Sequence, residues 1–235
     1  MRTRPHLLEL GAEVVAFLVA ATCAGCDEPG TLLCRRCLRA LQPNPLQTNP
    51  LQRLTPRGLP VTAALPFDGV AARCIRRLKG NGETYLARPL GAALASVLRS
   101  PETASRLVVP VPTTRSAFRR RGYRVPDLLI RRAQVAPQRV LRFAARTDDQ
   151  RGLGARERVT NMSGAMRARR PGEGAEVVIV DDVVTTGATF DEAARALTEA
   201  GFLVSAAVAL AATPRRDGFG STSSGTHRRH RGSTP

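Results

Sequence analysis

The run VVIVDDVVTTGAT, Val177 to Thr189, decides how the rest of the chain is read. Four branched apolar residues in succession suit a strand covered on both faces, since a half-exposed strand would alternate with polar residues. Two adjacent aspartates follow, and open α/β sheets hold their ligands at the carboxyl ends of strands. Beyond the hydroxyl-rich turn, Phe190, Ala193, Ala194, Leu197 and Ala200 fall on one helical face, and Gly201 stands where the helix stops. Thr189 and Glu192 have the spacing of a capping box, so the helix is expected to open near Phe190. Threonine hydroxyls, backbone N–H groups and a helix N-terminus thus converge on one spot, which suits a phosphate monoester. Paired carboxylates beside a phosphate cradle make sense when the ligand offers them vicinal hydroxyls, as a 5-phosphorylated ribose does. The bland alternative is a structural strand, turn and helix with no ligand.

Working outward, apolar runs alternate with helical patterns from Val61 onward. A helix is expected over Thr84 to Leu98, a buried strand at RLVVPVP and a helix around Asp127 to Ala133. Further strands are expected at RVLRF, AEVVIVDD and LVSAAVALAA. Such alternation indicates an α/β fold, a parallel sheet flanked by helices on both faces. Upstream, Leu7 to Val19 carries an amphipathic pattern that completes an N-terminal module over residues 1–42. Residues 43–60 hold prolines at 43, 45, 50, 56 and 60, and read as an extended Pro-rich linker. The sheet domain then spans 61–212. Residues 213–235 have almost nothing to bury and read as a disordered basic tail of net charge +4.

Cys23-Ala-Gly-Cys26 and Cys34-Arg-Arg-Cys37 are two CxxC pairs seven residues apart. Four thiolates at that spacing can close a tetrahedral all-cysteine site, and the module around them has too few apolar residues to fold by burial alone. Structural Zn²⁺ is the expected occupant; disulfides in an exported protein or a redox CxxC are the alternatives. Cys74, in AARCIRRL, is expected to be a small core residue.

The ribose-phosphate run resembles the phosphoribosyl pyrophosphate motif of type I phosphoribosyltransferases. RRLKGNGETYLARPLGAALA, VVPVPTTRSAFRRRGY and RTDDQRGLGARERVTNMSGAM precede it in the order found in the ComF family, whose members also carry a four-cysteine module. That resemblance spans roughly residues 7–212 and implies a type I phosphoribosyltransferase-like sheet. It implies that Asp181 and Asp182 hold the ribose hydroxyls and are the catalytic acids, and that Val184, Thr185, Thr186, Gly187, Ala188 and Thr189 cradle the 5-phosphate. Pro112, Thr113 and Arg115, in the loop after the first core strand, would meet the pyrophosphate with Mg²⁺. A mobile loop over the site would carry Gln150, Arg156, Arg158 and Asn161. After Gly122 the family continues with Phe-Asn, whereas this chain has Tyr123 and Arg124.

The resemblance implies two functional readings, and the charge bears on both. The formal net charge is +17, and Lys79 is the sole lysine, so the positive charge is arginine. From Arg115 to Arg158, thirteen arginines face four carboxylates, a concentration that favours phosphate-bearing partners over a merely solvated surface. The first reading is a phosphoribosyltransferase acting on a nitrogenous base. The second is a protein associated with single-stranded DNA in DNA uptake, with the pocket kept as a sensor; an aromatic content of 4% argues for little base stacking in that role. Glu9 and Glu13 interrupt the apolar N-terminal stretch, so neither a secretory leader nor a membrane span is expected, and the cytoplasm is the expected compartment. The acceptor base, a general base and the oligomeric state are not legible.

Overall fold

The strand that begins in the apolar run is longer than its hydrophobic part. In the computed structural model, which describes residues 21–42, 51–100, 103, 105–144 and 164–214, it runs Glu176–Val184 and carries both aspartates within its ladder. In chain order the described elements are α1 (Arg35–Ala40), β1 (Leu51–Leu54), β2 (Pro60–Pro66), α2 (Gly69–Gly80), a 3₁₀ turn (Thr84–Leu86) and α3 (Ala87–Leu98). They continue with β3 (Leu107–Pro110), α4 (Arg115–Arg121), α5 (Val125–Arg132), β4 (Leu141–Phe143), β5 (Met166–Ala168), β6 (Glu176–Val184), α6 (Ala188–Thr198) and β7 (Leu203–Ala212).

The central sheet has the order β1-β2-β7-β6-β3. Strands β2, β7, β6 and β3 are parallel, and β1 is an antiparallel edge. Both faces are covered, as the unbroken apolar run requires. Val178 and Val180 pack with Ile75 and Leu78 of α2, Leu90 and Leu94 of α3, and Leu129 and Ile130 of α5. Val177 and Ile179 pack on the other side with Phe190 and Leu197 of α6, and with Leu141 and Met166 of the β4–β5 pair. The parallel α/β sheet flanked by helices is therefore the architecture read from the sequence.

Two stretches depart from that reading. Part of the Pro-rich stretch is a strand: Leu51–Leu54 pairs with Pro60–Pro66, so the sheet begins ten residues before Val61. Its prolines do not prevent this, because Pro50 and Pro56 flank the strand and Pro60 is the first residue of β2, positions where a ladder donor can be spared. RVLRF contributes only Leu141–Phe143, which pairs antiparallel with Met166–Ala168 in a separate two-stranded sheet. The expected helix at Leu7 to Val19, the loop residues Gln150, Arg156, Arg158 and Asn161, and the tail from 215 lie outside the described residues.

Helix α3 approaches α5 closely enough to need a residue without a side chain. A Cβ on Gly91 would stand 2.4 Å from Cβ and 3.0 Å from the carbonyl carbon of Arg132. Alanine in a helix interior normally gains about 1 kcal/mol over glycine, whereas overpacking costs about 1–3 kcal/mol. The obstructing atoms are the Arg132 Cβ, which its own backbone fixes in place, and backbone atoms of Arg132 and Leu129, so the clash decides the sign. Gly91→Ala is expected to lower the urea midpoint with an unchanged m-value; a raised midpoint would contradict this packing.

Candidate functional site

The carboxyl ends of β3, β6 and β7 bring three of the predicted segments together. Pro110 pairs with Val180, and the Val111 N–H continues the ladder by donating to the Val180 carbonyl at 2.9 Å. Pro112 and Thr113 therefore leave the sheet beside Asp181. Thr114 caps α4, its Oγ1 accepting from the Ala117 N–H at 3.2 Å, and places Arg115 in the exposed first turn. On the other side, the Thr213 N–H donates to the Val184 carbonyl at 3.0 Å, fixing the start of the threonine turn.

Gly187 makes that turn possible. Its φ of 89° lies in the left-handed region, and a Cβ there would come within 2.9 Å of Thr55 Cγ2, so conformation and space both demand glycine. Gly187, not Thr189, occupies the N-cap, and α6 opens at Ala188. The expected capping box does not form, because Glu192 is turned into the core, where it accepts from the Met166 N–H at 2.7 Å and from Arg195 at 2.8 Å. The Asp191 N–H makes the first α-helical bond, to the Gly187 carbonyl. The amides of Thr189 and Phe190 thus precede the helical ladder, and the Ala188 amide has only a 3.4 Å contact with Thr186 Oγ1.

The turn is held from behind by the stretch read as linker, a contribution with no local sign in the residues themselves. Arg53 Nη1 donates to the Thr185 carbonyl at 3.0 Å. Thr55 donates its hydroxyl to the buried Asp191 carboxylate and accepts from the Leu59 N–H at 3.0 Å, and the Arg57 N–H also donates to Asp191, at 3.2 Å. β1 and its turn therefore buttress the threonine turn from a distant part of the chain.

The acids differ in their surroundings. Asp182 is 7% exposed and accepts from Lys79 Nζ at 2.7 Å. Asp181 is half-buried and accepts from the Asp182 N–H at 2.8 Å. Burial, reinforced by the Asp182 charge, pushes its carboxyl up to about 8. Tyr123, where the family pattern has phenylalanine, uses its hydroxyl to bond the Leu78 carbonyl and so ties the turn after α4 to the end of α2.

In the N-terminal module, the four sulfurs of Cys23, Cys26, Cys34 and Cys37 lie within 4.8 Å of one another. A tetrahedral zinc–thiolate site with bonds of about 2.3 Å implies sulfur separations of about 3.8 Å, and Cys26 and Cys34 stand 3.8 Å apart. The Cys34 N–H points at the Cys23 sulfur at 3.3 Å. Burial works against the Cys23 thiolate, yet the amides of Cys34, Gly25 and Cys26 prevail and hold its pKa at about 6. The four can hold a structural metal ion, zinc is compatible with the set, and none of the cysteines is disulfide-bonded. Cys74 is a fully buried core residue. Among the described residues no helix is long and apolar enough to cross a membrane.

A parallel sheet whose central strand ends in an acid pair and a glycine-hinged threonine turn defines a phosphoribosyltransferase domain, here with a four-cysteine module in front. Comparison with known proteins bears this out: the family model described as "Phosphoribosyl transferase domain" matches residues 90–219. "DNA utilization protein YhgH" of Escherichia coli K12 is 34% identical over 186 residues, covering 74% of this chain and 77% of its own length. The protein of the same name from Salmonella typhimurium is 30% identical over 186 residues, with the same shares covered. "Competence protein F" of Haemophilus influenzae is 29% identical over 140 residues, 54% of this chain and 61% of its own. The chain belongs to the ComF-like family of type I phosphoribosyltransferase-domain proteins.

The raised Asp181 carboxyl has a measurable consequence. Without ligand, the folded protein keeps a proton at Asp181 up to about pH 8, which the unfolded chain gives up near pH 4, so this group's contribution to stability falls as pH rises between those values. Asp181→Asn is expected to raise the melting temperature of the ligand-free protein at pH 8 and to reduce the decline above pH 4. A lower melting temperature at pH 8 would contradict the burial argument.

Proposed function

We propose that the crevice binds phosphoribosyl pyrophosphate and transfers its phosphoribosyl group to a nitrogenous base. The observation that carries this reading is the convergence of the Gly187 turn, the acid pair and the Val111–Arg115 loop at one end of the sheet. Asp181 and Asp182 take the ribose 2- and 3-hydroxyls. The amides and hydroxyls of Thr185 to Thr189, led in by Val184, take the 5-phosphate. Pro112, Thr113 and Arg115 face the pyrophosphate, and Arg115 supplies a guanidinium suited to its oxygens.

The reaction is displacement of pyrophosphate at C1 of the ribose through an oxocarbenium-like state. The protein's contribution is positioning and electrostatics, with arginine stabilising the leaving charge and no covalent intermediate on the chain. Mg²⁺ bound with the substrate would neutralise part of the pyrophosphate charge and orient its oxygens. The acid pair answers this ligand better than a bare phosphate, which adjacent carboxylates would repel.

A second reading is favoured by one observation: α4 exposes Arg115, Arg119 and Arg120, with no carboxylate paired to them among the described residues. With relatives named for DNA utilization and competence, this supports association with single-stranded DNA in DNA uptake, compatible with an occupied crevice. Its affinity would then fall steeply with salt as counterions return to the phosphates.

Variants in the turn and the acid pair test the first reading. Phosphoribosyl pyrophosphate with Mg²⁺ is expected to raise the melting temperature of the wild type by several degrees. Gly187→Ala, and Asp181→Asn combined with Asp182→Asn, should abolish that shift while remaining folded by circular dichroism. An undiminished shift in the double variant would overturn the assignment.

A further inference from the structure

One helix, α2, joins the acid pair to the four-cysteine module. Lys79, in the last turn of α2, directs its ammonium onto Asp182, although a cation at that position could instead serve its own helix's carbonyl end. Its side chain is 35% exposed and the Asp182 side chain 10% exposed, so the amine reaches from solvent into the floor of the crevice. Among the described ion pairs it is the one that touches either acid.

The reach of that amine is set by how α2 is held. Ile75 and Leu78 are fully buried under the helix, and Tyr123 bonds the Leu78 carbonyl beside Lys79. On its outer side, Arg73 and Arg77 both donate to Asp27, the residue that follows the first CxxC pair; the Arg77 bond is 2.7 Å. Asp27 is placed for this by a left-handed backbone, φ 61°, and by its N–H donating to the Cys23 carbonyl at 2.8 Å. Gly25 sits so close to Val70 of α2 that a Cβ would come within 2.9 Å of Val70 Cγ1. The cysteine knuckle thus grips α2 at Val70, Arg73 and Arg77, and two residues on from Arg77, about 3 Å along the axis, the same helix delivers Lys79.

We propose that Lys79 is a positioning residue of the acid pair, and that the metal-closed cysteine module, acting through α2, keeps its ammonium on Asp182. The ion pair fixes the orientation of the Asp182 carboxylate and offsets its negative charge, which an anionic ligand would otherwise meet unscreened. Its value to ligand binding rests on the phosphoribosyl pyrophosphate reading above; the link from cysteines to lysine does not.

Because Lys79 is the sole lysine, amine chemistry reads it out directly. Reductive dimethylation of the intact, zinc-loaded protein, followed by peptide mass analysis, gives its rate apart from that of the N-terminal amine. The expected result is slow labelling, accelerated tenfold or more in Asp182→Asn and severalfold after chelation of zinc. Should chelation unfold the whole chain, Arg73→Gln with Arg77→Gln cuts the same link with the cysteines intact and should give the same acceleration in folded protein. Equal rates in wild type and Asp182→Asn, or in the linked and unlinked folded forms, would overturn the proposal.

Binding supplies the second arm. Lys79→Met should weaken phosphoribosyl pyrophosphate binding at least tenfold, and Lys79→Arg should restore most of it. Equal affinity of Lys79→Met and wild type would overturn the positioning role. If the wild type binds no phosphoribosyl pyrophosphate, the functional reading fails, and the labelling arm still decides whether the cysteine module controls Lys79.

Discussion

The structure depends on what one strand carries past the edge of its own hydrophobic core. β6 is buried on both faces through Val180 and then keeps pairing with β7 through Asp181 and on to Val184. Two carboxylates are thereby held in a ladder, at a place where water is scarce and their charges oppose each other. The surroundings bear on that conflict: Lys79 donates to Asp182, burial raises the pKa of Asp181, and the amides of Thr189 and Phe190 beyond Gly187 precede the helical ladder. A carboxyl whose pKa burial raises this far, beside a second acid paired to a lysine, marks a functional rather than a purely structural arrangement.

The support for this site is distributed widely along the chain. Arg53 and Thr55 come from the edge strand and its turn, Asp191 from α6, Lys79 and Leu78 from α2 and Tyr123 from the turn after α4. None touches the proposed ligand positions by necessity, yet together they fix the turn and the acids. Such outer support is what allows a loop of small residues to hold geometry tightly enough for recognition.

Legibility in the sequence followed the range of the interactions. The β6 strand, its turn and α6 were readable because one continuous run encodes them, with branched residues, acids, a glycine and an amphipathic face in order. The cysteine cluster was readable because metal-ligand spacing is itself local. What could not be read was set by partners far away. The Thr189–Glu192 spacing suggests a capping box, but Glu192 finds better-buried partners in Arg195 and the Met166 amide, and Gly187 takes the cap. The prolines around Leu51–Leu54 suggest a linker, yet an edge strand tolerates them at its ends. Lys79 stands out by composition alone, and only the fold shows that it faces Asp182.

The most direct measurement is a calorimetric titration of the intact, zinc-loaded protein with phosphoribosyl pyrophosphate, in the presence and absence of Mg²⁺. The account predicts saturable binding at one site per chain that strengthens with Mg²⁺ and is competed by ribose 5-phosphate. Absence of binding heat across a range of temperatures, in protein shown to be folded, would contradict it and leave the crevice without its proposed ligand.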